Sequence, residues 1–124
     1  MSADSERGSA LVDFLLVALL VTVLVLGVIQ VALTSHVRNV LIDAAAEGAR
    51  YAALDGRDLD QGAGRTEQLI TSTLPSAYAQ RVSADLVERQ GVSLVEVRVQ
   101  APIPVLGLLG PSGLVDVTGR AVTE

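Results

Sequence analysis

The chain has 124 residues, of which half are hydrophobic, and its formal net charge at pH 7 is −5. It contains no cysteine, which excludes disulfide bonds, thiolate nucleophiles and cysteine-based zinc sites. The acidic balance argues against a nucleic-acid-binding surface, because such surfaces are basic.

The longest apolar stretch runs from Phe14 to Val37 and carries no formal charge. Its apolar residues fall on every face of a helix, which argues against an amphipathic helix lying on a surface. At about 1.5 Å per residue the stretch reaches across the roughly 30 Å of bilayer hydrocarbon. Inside lipid only a helix satisfies the backbone of a single segment. The sequence therefore predicts a transmembrane helix over residues 9–37, preceded by a short polar leader at residues 1–8.

An acidic residue, Asp13, stands at the start of this apolar stretch, in the run Gly-Ser-Ala-Leu-Val-Asp-Phe that begins at Gly8. A carboxylate on a membrane helix costs about 2.5–3.5 kcal/mol at mid-bilayer and less near an end. Pairing with a cation relieves that cost, and a newly made N-terminus is the nearest candidate. The alternative is an incidental acid at the membrane interface.

The same seven residues resemble the prepilin peptidase site of type IV pilins and pseudopilins. In that family cleavage follows the Gly, and the mature chain carries an acid at its fifth position, often followed by an aromatic residue. The resemblance implies that Gly8 and Ser9 form the processing site and that Asp13 and Phe14 serve subunit pairing. The family's acid is usually Glu, so this chain departs from the pattern by one methylene.

The segment 38–56 is predicted to extend the same helix, because apolar and small residues recur at three- and four-residue steps. Gly56 is the expected stop, and a helix from Ser9 to Leu54 would be about 70 Å long. Two stripes of small residues lie on this extension and let another backbone approach closely. The stripes are Ala44, Gly48, Ala52 and Ala45, Ala49, Ala53. They pack under the chain's own head or against a neighbouring subunit, and both can hold on different faces.

The run from Asp43 to Ala53 contains Glu-Gly-Ala-Arg and resembles the stretch that follows the membrane helix in TadE-like proteins. These are pseudopilin or minor-pilin components of the tight-adherence (Tad, or Flp) type IV pilus system. The resemblance implies a cytoplasmic leader and an extracytoplasmic head. It also implies prepilin peptidase, other pilin-like subunits, Tad membrane assembly proteins and membrane lipid as partners. It is specific for the first half of the chain and rests on the coarse pattern for the second.

Residues 57–124 are predicted to form a small head. The Gly- and Asp-rich run Asp55–Gly64 predicts a loop, and its acids do not fit an EF-hand, so no metal is expected. Thr66–Leu74 predicts a short helix that ends at Pro75. Its inward side is expected to carry Leu69, Ile70, Thr73 and Leu74.

Alternation with a period of two then predicts three strands with one buried face. Their inward residues are Val82, Ala84, Leu86; Val95, Val97, Val99; and Val115, Val117, Ala121. Arg89-Gln90-Gly91 is expected to form a hairpin turn. The predicted fold class is α+β: a long N-terminal transmembrane helix that continues into a small head with a short helix and a three-stranded antiparallel sheet.

The link Pro102–Leu114 joins the last two strands and is dense in apolar residues although its Gly and Pro exclude regular structure. It is predicted to be a contact surface for a neighbouring head or the outer membrane leaflet. The alternative is burial against the chain's own helix.

Nothing in the sequence resembles a catalytic set, and the single histidine, His36, lies at the expected membrane boundary. No enzymatic activity and no cofactor are expected. The favoured function is a structural pilin-like subunit, a pseudopilin or minor pilin, that is processed after Gly8 and assembled into a Tad pilus. The alternative is an unprocessed, single-pass membrane anchor whose head binds a soluble or envelope partner.

Overall fold

The structure is a computed structural model that describes residues 3–54, 58–103 and 114–123. Its elements in chain order are helix α1 (Ala3–Ala53), helix α2 (Leu59–Thr71), a 3₁₀ turn (Ser76–Ala79), and strands β1 (Arg81–Arg89), β2 (Val92–Pro102) and β3 (Leu114–Val122). The strands form one antiparallel sheet in the order β1-β2-β3. The predicted α+β fold, with a long N-terminal helix, a short helix and a three-stranded sheet, is therefore confirmed.

Helix α1 begins earlier than predicted, because the leader residues from Ala3 onward are already helical. Two acids in its first turn, Asp4 and Glu6, favour this start by lying at the positive end of the helix dipole. No proline interrupts the helix, so it continues through the predicted span into the head. It ends at Ala53, and the predicted stop Gly56 lies outside the described residues.

Helix α2 begins within the segment that was predicted to be a loop, so that prediction is wrong from Leu59 to Gly64. The cause is a capping box. The Asp58 carboxylate accepts a hydrogen bond from the Gln61 backbone N–H at 2.8 Å, and the Gln61 side-chain oxygen accepts one from the Asp58 N–H at 3.0 Å. The helix also ends early, at Thr71, which leaves Thr73 exposed rather than turned inward.

Val97 of β2 pairs with Ala84 of β1 on one side and with Gly119 of β3 on the other. A tight turn between β1 and β2 uses positive φ values at Gln90 and Gly91, so the predicted hairpin turn is confirmed. The inward residues of β2 and β3 are buried as predicted, except that Ala121 is only partly buried. In β1 the prediction is wrong at Leu86, which is 62% exposed because it lies on an edge strand beyond the residues that pack on the core.

The core lies between the second half of α1 and the inner face of the sheet. Its fully buried members include Leu41 and Ala45 from α1, Ile70 from α2, and Val97 and Val99 from β2. At Gly119 the β3 backbone lies directly on the α1 backbone. A Cβ added there would lie 2.6 Å from the Ala45 carbonyl oxygen, so only glycine permits this contact.

The middle of the outer sheet face carries cross-strand ion pairs, whereas its ends carry exposed apolar side chains such as Leu114 and Val122. The Arg98 guanidinium donates hydrogen bonds from Nε to Asp116 Oδ1 at 3.0 Å and from Nη2 to Oδ2 at 2.7 Å. Arg120 Nε donates to Glu96 Oε2 at 2.8 Å. These pairs are exposed, so each adds little to stability, but they fix the register of neighbouring strands.

The Arg98–Asp116 pair predicts a pH dependence of stability. The hydrogen bonds from Arg98 hold the pKa of the Asp116 carboxyl below its ordinary value. Because the folded pKa is depressed, the contribution is present above the pKa of the unfolded chain and is lost as pH falls through the folded pKa. We expect Asp116→Asn to lower the urea midpoint slightly at neutral pH, and the difference from wild type to shrink below about pH 4.

Tyrosine fluorescence can report the unfolding, because the chain has two tyrosines and no tryptophan, and both tyrosines lie in or against the head. Asp85→Asn is the control, since Asp85 faces Glu96 across the sheet and its loss should not lower the midpoint. A difference between wild type and Asp116→Asn that stays constant down to low pH would contradict the prediction.

Candidate assembly surfaces on the long helix

The N-terminal part of α1, from Asp4 to His36, contains no buried residue, and we call this part the bare half or bare stretch of the helix. From Leu11 to Leu33 its large apolar side chains are exposed, and the buried residues of the helix begin only at Val37. Among the described residues, α1 is the one helix long and apolar enough to cross a membrane. A stretch that buries nothing in its own head and exposes this much apolar surface must be covered by lipid or by other protein.

Two threonine hydroxyls on this part of α1 form hydrogen bonds within the helix. The Thr22 hydroxyl donates to the Ala18 carbonyl at 2.7 Å, and the Thr34 hydroxyl donates to the Gln30 carbonyl at 2.9 Å. Such bonds to the carbonyl four residues earlier let a hydroxyl enter an apolar environment without an unpaired donor. Thr22 and Thr34 are therefore compatible with a membrane or with a tightly packed helix bundle.

Asp13 is exposed on the first half of α1, and the part of the chain that the structure describes offers its carboxylate neither a hydrogen bond nor an ion pair. The nearest basic residue before it, Arg7, is on another face of the helix. Helical side chains lean toward the N-terminus, so the carboxylate leans toward Ser9, which lies one turn earlier on the same face.

Gly8 lies within the regular helix and is fully accessible. A Cβ added there would meet nothing within 4 Å. Glycine is about 1 kcal/mol less favourable than alanine inside a helix, so the Gly8–Ser9 bond lies at a point of low helix propensity. Phe14, six residues on, is 68% exposed at the start of the bare stretch. The four predicted processing and pairing residues thus lie on two turns of one helix.

The small residues Ala44, Gly48 and Ala52 pack against α2. A Cβ on Gly48 would lie 2.7 Å from the Gly62 carbonyl oxygen, and a Cβ on Gly62 would lie 2.9 Å from the Gly48 carbonyl oxygen. Thr66 is fully buried at this crossing, and its hydroxyl donates to the Gly62 carbonyl at 2.9 Å. Gly62 and Thr66 were not among the predicted packing residues, although their four-residue spacing is the same signal that marked the facing stripe.

The second stripe, Ala45, Ala49 and Ala53, is buried toward the sheet, where Gly119 touches the helix backbone. Both stripes are therefore covered by the chain's own head. The side of α1 that remains outside is mainly polar and includes Asn39, Asp43 and Arg50, with one exposed apolar residue, Ile42. Arg50 contacts Glu47 at 3.4 Å. Any neighbour that approaches the head-bearing half of α1 would meet this polar side.

The polar side of α1 borders an open groove lined by Val40, Asp43, Glu47, Leu69 and Thr73. The groove contains no nucleophile paired with a base. In the ranges 3–54, 58–103 and 114–123, no three His, Cys, Asp or Glu side chains come close enough to hold a metal ion. The described residues therefore form two parts. One is the bare half of α1, an apolar rod with Asp13 near its start, and the other is a packed head.

The model of the protein family described as TadE-like protein matches residues 8–50. This segment is TadE-like. The match begins at Gly8 and ends at Arg50, so it covers the bare stretch and the helical extension and confirms the resemblance seen in the sequence. No curated protein and no solved structure matches the chain significantly.

The TadE-like match, over residues 8–50, associates this segment with a Tad pilus-related family that is structural rather than enzymatic. The single long apolar helix near the N-terminus fits a single-pass membrane anchor in such a family. The matched residues lie entirely on α1.

The α1–α2 crossing predicts a large effect of one methyl group. Gly48→Ala should lower the free energy of unfolding by about 1–3 kcal/mol, because the added carbon would overlap α2. Gly64→Ala is the matched control: Gly64 also lies inside a helix, but a Cβ there meets nothing within 4 Å. That variant should gain about 0.5–1 kcal/mol from helix propensity. Urea unfolding followed by tyrosine fluorescence checks both, and equal effects would contradict the proposed crossing.

Proposed function

We propose that this TadE-like chain is a structural pilin-like subunit, a pseudopilin or minor pilin, for assembly of a Tad (Flp) type IV pilus. The main observation in support of this proposal is that α1 is divided into a bare apolar half and a half that is packed in the head. Apolar side chains gain by leaving water whether lipid or another apolar helix covers them. The same surface can therefore hold the subunit in the membrane and later pack in a bundle of subunits.

In this proposal residues 1–8 are a cytoplasmic leader that prepilin peptidase removes after Gly8, and residues 9–37 span the cytoplasmic membrane. Residues 38–56 extend the helix into an extracytoplasmic head formed by residues 57–124. The accessibility of Gly8 and its low helix propensity support cleavage there, because a peptidase must reach and unwind its substrate bond. The Tad membrane assembly proteins and other pilin-like subunits are the expected partners.

Cleavage would give Ser9 a positively charged amine at the end of the apolar rod. Asp13 of a neighbouring subunit would then neutralise this amine inside the bundle. An unpaired charge in an apolar environment is strongly unfavourable, so only arrangements that bring the two groups together are stable. The exposure of Asp13 and the absence of a partner for it among the described residues support this role.

The second candidate is an unprocessed, single-pass anchor whose head binds a soluble or envelope partner. The bare apolar rod would serve such a protein equally well, and Asp13 would then be an interfacial residue. The two functions differ in the N-terminus of the protein extracted from membranes, which is Ser9 only in the pilin-like subunit.

The first test is cleavage. We expect intact-mass analysis of protein from cells that carry prepilin peptidase to show a chain beginning at Ser9, and Gly8→Leu to abolish this processing because the larger side chain crowds the peptidase. Gly27→Leu is the matched control, since Gly27 also lies on the exposed N-terminal part of α1 and has open space around it. Full-length wild-type protein in the presence of the peptidase would refute processing at this site.

The second test is the charge at position 13. Asp13→Asn should be cleaved and inserted like wild type, yet its incorporation into pili or assembly complexes should fall at least about tenfold, the equivalent of 1.4 kcal/mol. Asp13→Glu keeps the charge and should retain incorporation. Co-purification of the variants with other pilus components measures this. Normal incorporation of Asp13→Asn would reduce Asp13 to an interfacial acid.

A further inference from the structure

Strand β3 runs in the same direction as α1. Gly119 touches the helix backbone at Ala45 and Ala46, whereas Ala121 and Val122 share a groove with Arg50 and Leu54. Moving along the strand toward Val122 therefore means moving along the helix away from the bare apolar half. The opposite end of the strand, at Leu114, points back toward the membrane.

The distance from Gly119 to Leu114 along β3 shows which residues of α1 lie level with this end of the sheet. Five strand residues at 3.3 Å each cover about 17 Å, which equals about eleven helix residues at 1.5 Å. Leu114 and its cross-strand partner Pro102 thus lie level with about Thr34 or Ser35, where the apolar stretch ends. Val37, the first buried residue of α1, agrees with this level because the head core begins there.

The side chains at this end are of the types found where a protein meets a bilayer surface. Leu114 is 54% exposed, and Ile103 is partly buried directly after β2. Two exposed arginines lie nearby: Arg38 follows the apolar stretch, and Arg81 begins β1 opposite Gln100. Apolar tips with basic residues beside them suit an interface that has acyl chains on one side and lipid headgroups on the other.

We propose that the membrane-proximal rim, which we define as Pro102, Ile103 and Leu114, rests in the interfacial layer of the bilayer. The inference depends on the proposed membrane span of residues 9–37. Because α1 is one uninterrupted helix from span to head, the rim is held at a fixed height and cannot lift away independently. The occupant in this proposal is lipid, contacted in continuity with the span, because the rim lies level with the end of the apolar stretch.

The rim is limited to Pro102, Ile103 and Leu114, because the rest of the predicted contact surface Pro102–Leu114, residues 104–113, lies outside the described residues.

The absence of cysteine permits a direct test in the full-length chain. Leu114→Cys and Val122→Cys place a single thiol at the two ends of β3, and both positions are exposed, at 54% and 59%. Each variant is labelled with an environment-sensitive fluorophore and reconstituted at low density into phosphatidylcholine–phosphatidylglycerol vesicles, with and without lipids that carry a nitroxide on the acyl chain. We expect a blue shift and strong quenching at Leu114 and neither at Val122. A third label, at Leu20→Cys in the bare stretch, reports whether the span itself is inserted.

The outcomes separate the rim from the proposed function. If the Leu20 label is quenched and the Leu114 label behaves like the Val122 label, the rim proposal is overturned and the span stands. If the Leu20 label is not quenched, the span fails and the rim fails with it. If the emission at Leu114 responds to protein density but not to the nitroxide lipid, a neighbouring head occupies the surface instead and the rim proposal is likewise overturned.

Discussion

The structure depends on direct backbone contact between α1 and the two elements that cover it. On one side Gly48 meets Gly62 and Thr66 of α2, and on the other Gly119 of β3 lies on the backbone of the helix. Contacts this close bring many atoms to van der Waals distance with few large side chains, which suits a head with two tyrosines and no tryptophan. The head is small because one helix serves as its scaffold, and the helix needs small residues on two adjacent faces to do so.

The same helix also connects the bare apolar half to the head without a break. The same helix that is alanine-rich where it carries the head is leucine- and valine-rich where it is bare, and no proline separates the two parts. The position of the apolar half therefore fixes the height and orientation of the head, whether lipid or other subunits surround that half. In the proposed subunit, a shift of one rod along its neighbour would move the whole head by the same distance.

The sequence predicted the features that depend on local pattern. The unbroken apolar run gave the bare half of α1, the small-residue stripes gave its packing faces, and the period of two gave β2 and β3. The prediction of a loop was wrong at the start of α2, where the Asp58–Gln61 capping box begins a helix within a glycine-rich run. Prediction from the sequence also failed where burial depends on what lies opposite, as at Leu86, since alternation identifies a face but not whether another element covers it.

The candidate site was predicted only in part, and for a related reason. Gly8, Asp13 and Phe14 are recognisable because their order along the chain matters, and the structure keeps that order on two turns of helix. Gly62, Thr66 and Gly119 acquire their packing role only through contact with residues far away in the sequence. Two of them could have been found by asking which segment offers a small-residue stripe to match Gly48. Gly119 lies in a regular strand pattern and gives no separate signal.

A bundle of such rods needs something other than apolar packing to fix its register. The bare half of α1 is built almost entirely of leucine, valine and alanine, so sliding one rod along another exchanges similar contacts for similar contacts. A buried charge behaves differently, because its energy rises by several kcal/mol when its partner moves away. One carboxylate near the start of the rod, paired with one amine, is therefore enough to select a single stagger from many arrangements of nearly equal packing energy. This is why the proposed assembly depends on Asp13 rather than on any residue of the apolar stretch.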